Sequence, residues 1–341
     1  MDISATEIVF TSTGCNFCDV ATQAFKALNY DGSYAEEVLQ IFKNGGGRKY
    51  DCLIGLSGGV DSSYALHVAK AIGLRPLAFS VDNGWNSPQS DENVLNLVEH
   101  LKIPFEKHTL NLPVFKDLQA AFMQAGQKNI EIPTDHVLMA ISLELASKYG
   151  IKYIISGGNV ATESIMPASW GYQPRDLKHI KAIYKWFTGK KLKGLPLCGL
   201  LKWNWYRWVK GIRTVYILDA FGYNREWAKK ELTELYRFKD VGEKHEESVF
   251  TKWFQTFYLF EKFGIDKRKA HYSSLIVSGQ MTRDEALERL GENLIYPELG
   301  IERKVLKYPK RDYKDFPNDE KLYLTISAVI RWIKRLWNRK S

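Results

Sequence analysis

Cysteine is scarce in this chain: Cys15, Cys18, Cys52 and Cys198 are the four thiols among 341 residues. So few cysteines, so unevenly spaced, exclude the disulfide framework of a small secreted scaffold. Long uncharged apolar runs are missing too, which excludes a bilayer-spanning helix by hydropathy. The N-terminus is polar and has no basic stretch followed by an apolar one, so no signal peptide is expected, and the expected location is the cytoplasm. Apolar residues are not short: they make up 45% of the chain. That share, at this length, predicts a folded protein larger than one typical domain. Acidic residues are outnumbered, 39 Asp and Glu against 48 Lys and Arg, for a net charge of +9. An anionic partner is expected, whether nucleotide, nucleotide-sugar, RNA or membrane surface, and charge alone does not choose among them.

The most informative segment is Ile54-Gly-Leu-Ser-Gly-Gly-Val-Asp-Ser-Ser63. Tyr50 to Leu56 is a short apolar run suited to a buried parallel strand, whereas Tyr64, Val68 and Ile72 recur at helical spacing. The glycines therefore sit in a loop between strand and helix. Gly58 and Gly59 let the backbone approach a ligand, and the amides that follow open a helix whose dipole favours anions. Ser57, Ser62 and Ser63 add hydroxyl donors, while Asp61 is suited to cap the helix or to help hold magnesium on phosphates. No lysine follows the glycines, so this is not the common nucleotide P-loop. Ser57 to Ser63 resembles instead the pyrophosphate loop of the ATP pyrophosphatases, which cleave ATP between the α and β phosphates. That resemblance implies a doubly wound parallel α/β sheet of the PP-loop adenine nucleotide α-hydrolase type and a reaction that consumes ATP.

Further elements follow the loop. Arg75 to Asp82 reads as a second strand ending at Asn83-Gly-Trp-Asn86, so Asp82 is placed near the nucleotide at a carboxyl strand end. Asp91 to Leu101 has helical spacing, Phe105 to Leu110 reads as a third strand, and Pro133 to Tyr149 as a helix. Ile151 to Ile155 reads as a fourth strand, followed by Ser156-Gly157-Gly158-Asn159 and then Glu163. A second glycine pair after a strand predicts a cleft shared with the first loop. This stretch resembles a Gly-His-Asn plus acidic motif of related pyrophosphatases, with Gly158 in the histidine position. Between Lys178 and Arg213 the chain is basic and aromatic, which suits stacking of bases or sugar rings, or, the favoured reading, a helical subdomain with its aromatics packed inward.

Cys15-Asn-Phe-Cys18 has the spacing of half a zinc knuckle, with no second pair to complete it. A structural pair and a redox dithiol are the other readings. Cys52 is expected in the core.

The C-terminal half carries Lys244-His-Glu-Glu-Ser248 and Phe263-Gly-Ile-Asp-Lys-Arg268 with His271. Together with Ser57 to Ser63, Asp82 to Asn86, Gly157 to Trp170 and the Cys15 pair, these segments resemble the N-acetyl sugar amidotransferases of bacterial surface-polysaccharide synthesis. The resemblance runs from about Ile8 to Pro297. It implies conversion of the N-acetyl group of a nucleotide-linked sugar into an acetamidino group, with ATP and Mg2+ as cofactors. On that basis Lys244, Lys267 and Arg268 are candidates to neutralise phosphate charge, with Lys267 first because Asp266-Lys267 resembles a pair near the phosphates of asparagine synthetase. A helix end with solvated cations is the plainer alternative. His245 and His271 are candidates to orient the amide or move a proton, or are structural. Glu247 and Ser248 could bind sugar hydroxyls or sustain their loop; Trp170 and Tyr172 could stack on a ring or pack in the core.

Two departures from the family stand out: a further Cys-x-x-Cys pair is not found in this sequence, which weakens the zinc expectation, and Glu243 stands where a second glycine is common. No glutaminase segment is evident, so the resemblance implies a separate ammonia-supplying glutaminase and a cyclase-like barrel subunit as partners. Leu322 to Trp337 reads as a basic amphipathic helix, for docking on protein or, less favoured, on a membrane. The expected division is an N-terminal segment over 1–48, the ATP-binding domain over 49–175, a mainly helical region over 176–320 and the terminal helix over 321–341. The alternative function is a tRNA-modifying adenylating enzyme; the sugar-enzyme likeness of the C-terminal half makes nucleic acid the lesser expectation.

Overall fold

The computed structural model describes residues 1–12, 14–28, 32–45, 49–171, 173–242, 244, 246–323 and 325. Tyr172, Glu243, His245 and almost all of the expected terminal helix lie outside the described residues.

Five parallel strands form one sheet: β1 (Cys52–Gly55), β2 (Pro76–Asp82), β3 (Phe105–Thr109), β4 (Tyr153–Ser156) and β5 (Arg213–Tyr216), in the spatial order β3-β2-β1-β4-β5. The register sets Leu53 beside Leu77 on one side and beside Ile154 on the other. Side chains alternate between two cores, as the period of a strand requires. Leu53, Leu77, Phe79 and Val81 belong to one apolar cluster, and Cys52, Ile54, Ala78, Ile155 and Val215 to the other. Both faces are covered, which is why β1 reads as an unbroken apolar run rather than an alternating one.

Helices α1 (Asn16–Ala27) and α2 (Ser33–Gly45) precede the sheet, and α3 (Val60–Ala71), α4 (Pro88–His100), α5 (Leu112–Ala125) and α6 (Ile132–Tyr149) connect its first four strands. Their ends are set by ordinary chemistry. Ser87 caps α4 by accepting the Ser90 amide at 3.1 Å, with Pro88 in the first turn; α5 and α6 stop at Gly126 and Gly150, both left-handed. Then come α7 (Val160–Glu163), α8 (Leu177–Thr188) and α9 (Leu200–Asn204) before β5. After β5 the described chain is helical: α10 (Ile217–Ala220), α11 (Arg225–Tyr236), α12 (Val249–Trp253), α13 (Leu259–Phe263), α14 (Arg268–Val277), α15 (Arg283–Gly291) and α16 (Glu302–Lys307). Among the described residues no helix is long and apolar enough to cross a membrane.

The chain travels outward from β1 through β2 to β3, then returns to place β4 on the other side of β1. That reversal is a topological switch point, where the loops after β1 and β4 diverge and leave a crevice at the carboxyl ends of the strands. The C-terminal half is tied to this end. The Val249 amide donates to the Trp85 carbonyl at 2.9 Å and the Ser87 amide to the Glu247 carbonyl at 3.0 Å, so the Glu247 to Val249 segment lies beside the exit of β2.

Candidate active site

The loop after β1 is built for close approach. Gly58 has φ of +81°, and a Cβ there would lie 2.2 Å from the Ser90 carbonyl oxygen, so both conformation and space require glycine. Asn93, buried in α4, donates to the Gly58 carbonyl at 3.1 Å and the Lys239 carbonyl at 2.8 Å, and its own oxygen accepts the Lys239 amide at 2.8 Å. The loop is thus tied to the segment after α11. Within it, Ser62 Oγ accepts the Ser57 amide at 3.2 Å, and Ser57 Oγ accepts the Gly59 amide at 3.3 Å. Across the switch point, a Cβ on Gly157 would fall 2.8 Å from the Ser62 amide nitrogen, so the second glycine pair lets the two loops touch.

Between them lies a cavity of about 200 Å3 lined by Ser57, Gly59, Asp61, Ser62, Gly157 and Gly158, with Glu163, Arg225, Lys244 and Glu247 around its rim. A cavity of about 580 Å3 adjoins it, with Glu163 and Lys244 common to both walls; Lys267, His271, Gln255 and Arg289 line the larger one.

Lys244 sits at this junction, almost wholly enclosed. Its ammonium donates to Asp61 and, at 2.7 Å, to Thr162 Oγ1, and lies 2.9 Å from Glu163 Oε1. The turn that presents Thr162 and Glu163 is fixed by Asn159, which caps α7 by accepting the Thr162 amide at 2.9 Å. Asp61 also accepts from the Tyr223 hydroxyl. Burial acts to raise the Asp61 carboxyl, but the Lys244 ammonium and the Tyr223 hydroxyl outweigh it and hold it below the usual carboxylate range. Burial acts oppositely on Lys244, and Asp61 with Glu163 hold its pKa above the ordinary lysine value. Lys267 differs. Its Nζ lies 3.0 Å from Met166 Sδ, and no carboxylate among the described residues comes within ion-pair distance. Burial pushes it down to about 8, against the smaller upward pull of Asp135 and Glu163.

Other residues singled out from the sequence stand elsewhere. Arg268 turns away from the phosphate loop into Asp266, at 2.8 Å, and donates to the Arg289 and Glu292 carbonyls at 3.0 and 3.1 Å. It ties α14 to the end of α15 although it borders the larger cavity. Asp82 accepts the Gly84 amide at 3.0 Å and faces Lys107 at 3.9 Å, outside both cavities. Ser63 is fully buried beneath the loop and lines neither cavity. Trp170 is in the core, its Nε1 donating to the Ser4 carbonyl at 3.0 Å, so it offers no ring face for stacking. Ser248 caps α12 by accepting the Thr251 amide at 3.3 Å. His271 Nδ1 is 3.1 Å from the Thr162 carbonyl; a carbonyl only accepts, so Nδ1 carries the hydrogen and, in the neutral ring, Nε2 is the acceptor. Glu247 packs against Gly59, where a Cβ would lie 3.0 Å from its Oε1. Arg225 is the cation that spacing did not reveal: it opens α11 after Gly222-Tyr-Asn224 and looks in sequence like any capped helix start.

The loop and the cysteine pair offer different donors. Magnesium is commonly held through one or two carboxylates together with substrate phosphates, and Asp61, Glu163 and Glu247 supply carboxylates around the phosphate-sized cavity. Cys15 and Cys18 have their sulfurs 3.6 Å apart, but Cys198 is buried elsewhere, with its amide 3.1 Å from His136 Nε2. No group of three metal-type ligands occurs among the described residues.

Fold and loop define a parallel α/β protein with a glycine loop at its switch point and a helical C-terminal region. Residues 247–320 match the family model described as LPS biosynthesis protein WbpG-like, C-terminal domain. The matched segment follows β5 and includes helices α12 to α16, so the similarity lies in the helical C-terminal region. An uncharacterized protein of Methanocaldococcus jannaschii is 28% identical over 42% of this chain, and the chain spans 58% of that relative's length. Among solved structures, NMN synthetase from Francisella tularensis aligns over 80% of this chain and 91% of its own, at 17% identity and a TM-score of 0.39. The NH3-dependent NAD synthetase from Campylobacter jejuni aligns over 42% and 55%, at 15% identity and a TM-score of 0.29.

Proposed function

We propose that the protein is an ATP-dependent N-acetyl sugar amidotransferase, forming an acetamidino group with release of AMP and pyrophosphate. The observation that carries this reading is the junction: Glu163 and Lys244 belong both to the phosphate-sized cavity on the loop and to the larger cavity beside it. A triphosphate laid on the loop and a sugar in the larger space meet there.

An amide carbonyl is a poor electrophile, so its carbon must be activated before ammonia can add. The N-acetyl oxygen attacks the α-phosphorus, the bond to the β-phosphate oxygen breaks, and pyrophosphate leaves. Ammonia then adds to the imidate carbon and loses a proton, and the carbon–oxygen bond breaks with AMP departing. The loop amides after Gly58, with Ser57 and Ser62, hold the pyrophosphate; Arg225 and Lys244 offset charge as it develops. Lys267 supplies a further cation from the sugar side. Magnesium, when bound with ATP, neutralises the phosphates. The ammonia source is a separate glutaminase with a cyclase-like barrel subunit, and the basic, apolar-patterned sequence from Leu322 to Trp337 is reserved for a protein or membrane contact.

The test is release of pyrophosphate and AMP from ATP and magnesium, with ammonium chloride as nitrogen source, across N-acetylated nucleotide sugars and bulk tRNA. Sugar-dependent release with a product about one mass unit lighter, as exchange of oxygen for NH requires, supports the proposal. Release with tRNA alone would move the enzyme to the RNA-modifying class. Robust glutamine-dependent turnover by the purified chain would contradict the separate glutaminase.

A further inference from the structure

The net charge is not spread over the molecule. Residues 177–218 contain ten Lys or Arg and no Asp or Glu, a local +10 against +9 for the whole chain, so the remainder is close to neutral. Inside this run, α9 continues as a wider helical turn over Trp205–Val209 and then, past Gly211, enters the edge strand β5. One side of this helical segment packs inward: Tyr206 is buried, and Trp203 is covered by Arg175, whose guanidinium lies 4.5 Å from the ring centre. The other side does not. Leu201, Trp205, Trp208 and Val209 are 87%, 43%, 67% and 69% exposed. Leu201, Trp205 and Val209 recur four residues apart along the segment, and exposed Trp208 stands beside Val209, so the four share its solvent side. The inward packing expected for the aromatics of this region therefore holds for Trp203 and fails for Trp186, Trp205 and Trp208.

We infer that this face docks on an anionic lipid surface. Aliphatic and tryptophan side chains on one exposed side, bordered by Lys210 and Arg213, are what an interfacial element presents to the boundary between headgroups and acyl chains. The Lys210 ammonium lies over the Trp205 ring, 4.9 Å from its centre, which puts a cation on the face itself. A single-stranded nucleic acid would use the cations and the rings but gains nothing from an exposed Leu201 and Val209. The run itself contributes no carboxylate; Glu144 from α6 reaches Lys202 at 2.6 Å, so Lys210 and Arg213 are the cations that would meet a negative leaflet. The face is separate from both cavities, so docking leaves the catalytic crevice open.

The test is co-sedimentation of the full chain with vesicles of phosphatidylcholine alone or with about one third phosphatidylglycerol. The intact protein should pellet with the anionic vesicles, not with the neutral ones, and release at high salt. Leu201→Ser with Trp208→Ser should weaken partitioning at least about tenfold, and so should Lys210→Glu with Arg213→Glu, with thermal melting and ATP cleavage unchanged. All four positions are at the surface, so the charge variant remains informative if the apolar one misfolds. No pelleting of the intact chain, or pelleting that neither variant alters, would overturn the inference. So would a labelled single-stranded oligonucleotide bound through these residues in place of vesicles, or a dimer that the Leu201→Ser and Trp208→Ser changes dissociate.

Discussion

Lys267 is a cation kept where burial opposes its charge, and that conflict gives it two measurable signatures. Its folded pKa of about 8 lies below the ordinary lysine value of 10.5. Below pH 8 the folded state carries the charge at a cost; between pH 8 and 10.5 it releases a proton that the unfolded chain still holds, so Lys267's contribution to stability rises with pH across that window. Its catalytic use runs the other way, because the cation disappears as pH rises through about 8. Lys267→Met should therefore abolish pyrophosphate release yet stabilise the protein by roughly 1–2 kcal/mol at pH 7, with the gain shrinking toward pH 10. Melting curves of both proteins at the two pH values check this; a variant less stable at pH 7 would contradict it. Wild-type turnover, on the same reasoning, should fall between pH 7 and 9. Lys244 predicts the opposite stability effect. Removing it strands Asp61 and Glu163 at the junction, so Lys244→Ala should cost roughly 3–5 kcal/mol in urea unfolding as well as activity. A loss of activity with unchanged stability would show that the ion cluster is not what holds the two loops.

At the scale of elements, the strand, loop and helix around Ser57 to Ser63 were legible because each follows a local rule: an apolar run, two glycines and a 3.6-residue repeat. The structure places them as β1, the loop and α3, and places β2, β3 and β4 within two residues of their sequence positions. The strand missed was β5. Arg213–Tyr216 is four residues long, at a sheet edge, with a single buried side chain, Val215. Such a strand has no periodicity to read, and its composition looks like basic surface. The polar core of the site was hidden for a related reason: α7 is one turn long, and Thr162 and Glu163 reach Lys244 only because Asn159 caps that turn and α14 braces it through Ser278, whose hydroxyl donates to the Ala161 carbonyl at 2.9 Å. These partners are separated by eighty to more than one hundred residues in sequence, and spacing carries no information about them. Asn93 is the same kind of feature, a buried amide on α4 whose three bonds fasten the loop to Lys239. Asn93→Ala should cost roughly 2–4 kcal/mol and raise the KM for ATP, since it leaves buried carbonyls unpaired and the loop loose. Equilibrium unfolding beside ATP titration checks it; unchanged ATP affinity would make Asn93 a stability residue alone.

Over the whole molecule, two adjoining cavities share Glu163 and Lys244 at the switch point of a parallel sheet, and the helical region after β5 supplies most of the wall of the larger one. In the proposed reaction the amide oxygen of the sugar becomes attached to the α-phosphorus and leaves with it. The most direct measurement uses an N-acetylated nucleotide sugar labelled with heavy oxygen in the acetyl carbonyl, turned over with ATP, magnesium and ammonium, and then examines the AMP by mass spectrometry. The account predicts AMP carrying the heavy oxygen on its phosphate and a sugar product that has lost it. AMP without the label, or heavy oxygen retained in the sugar while ATP is cleaved, would contradict it.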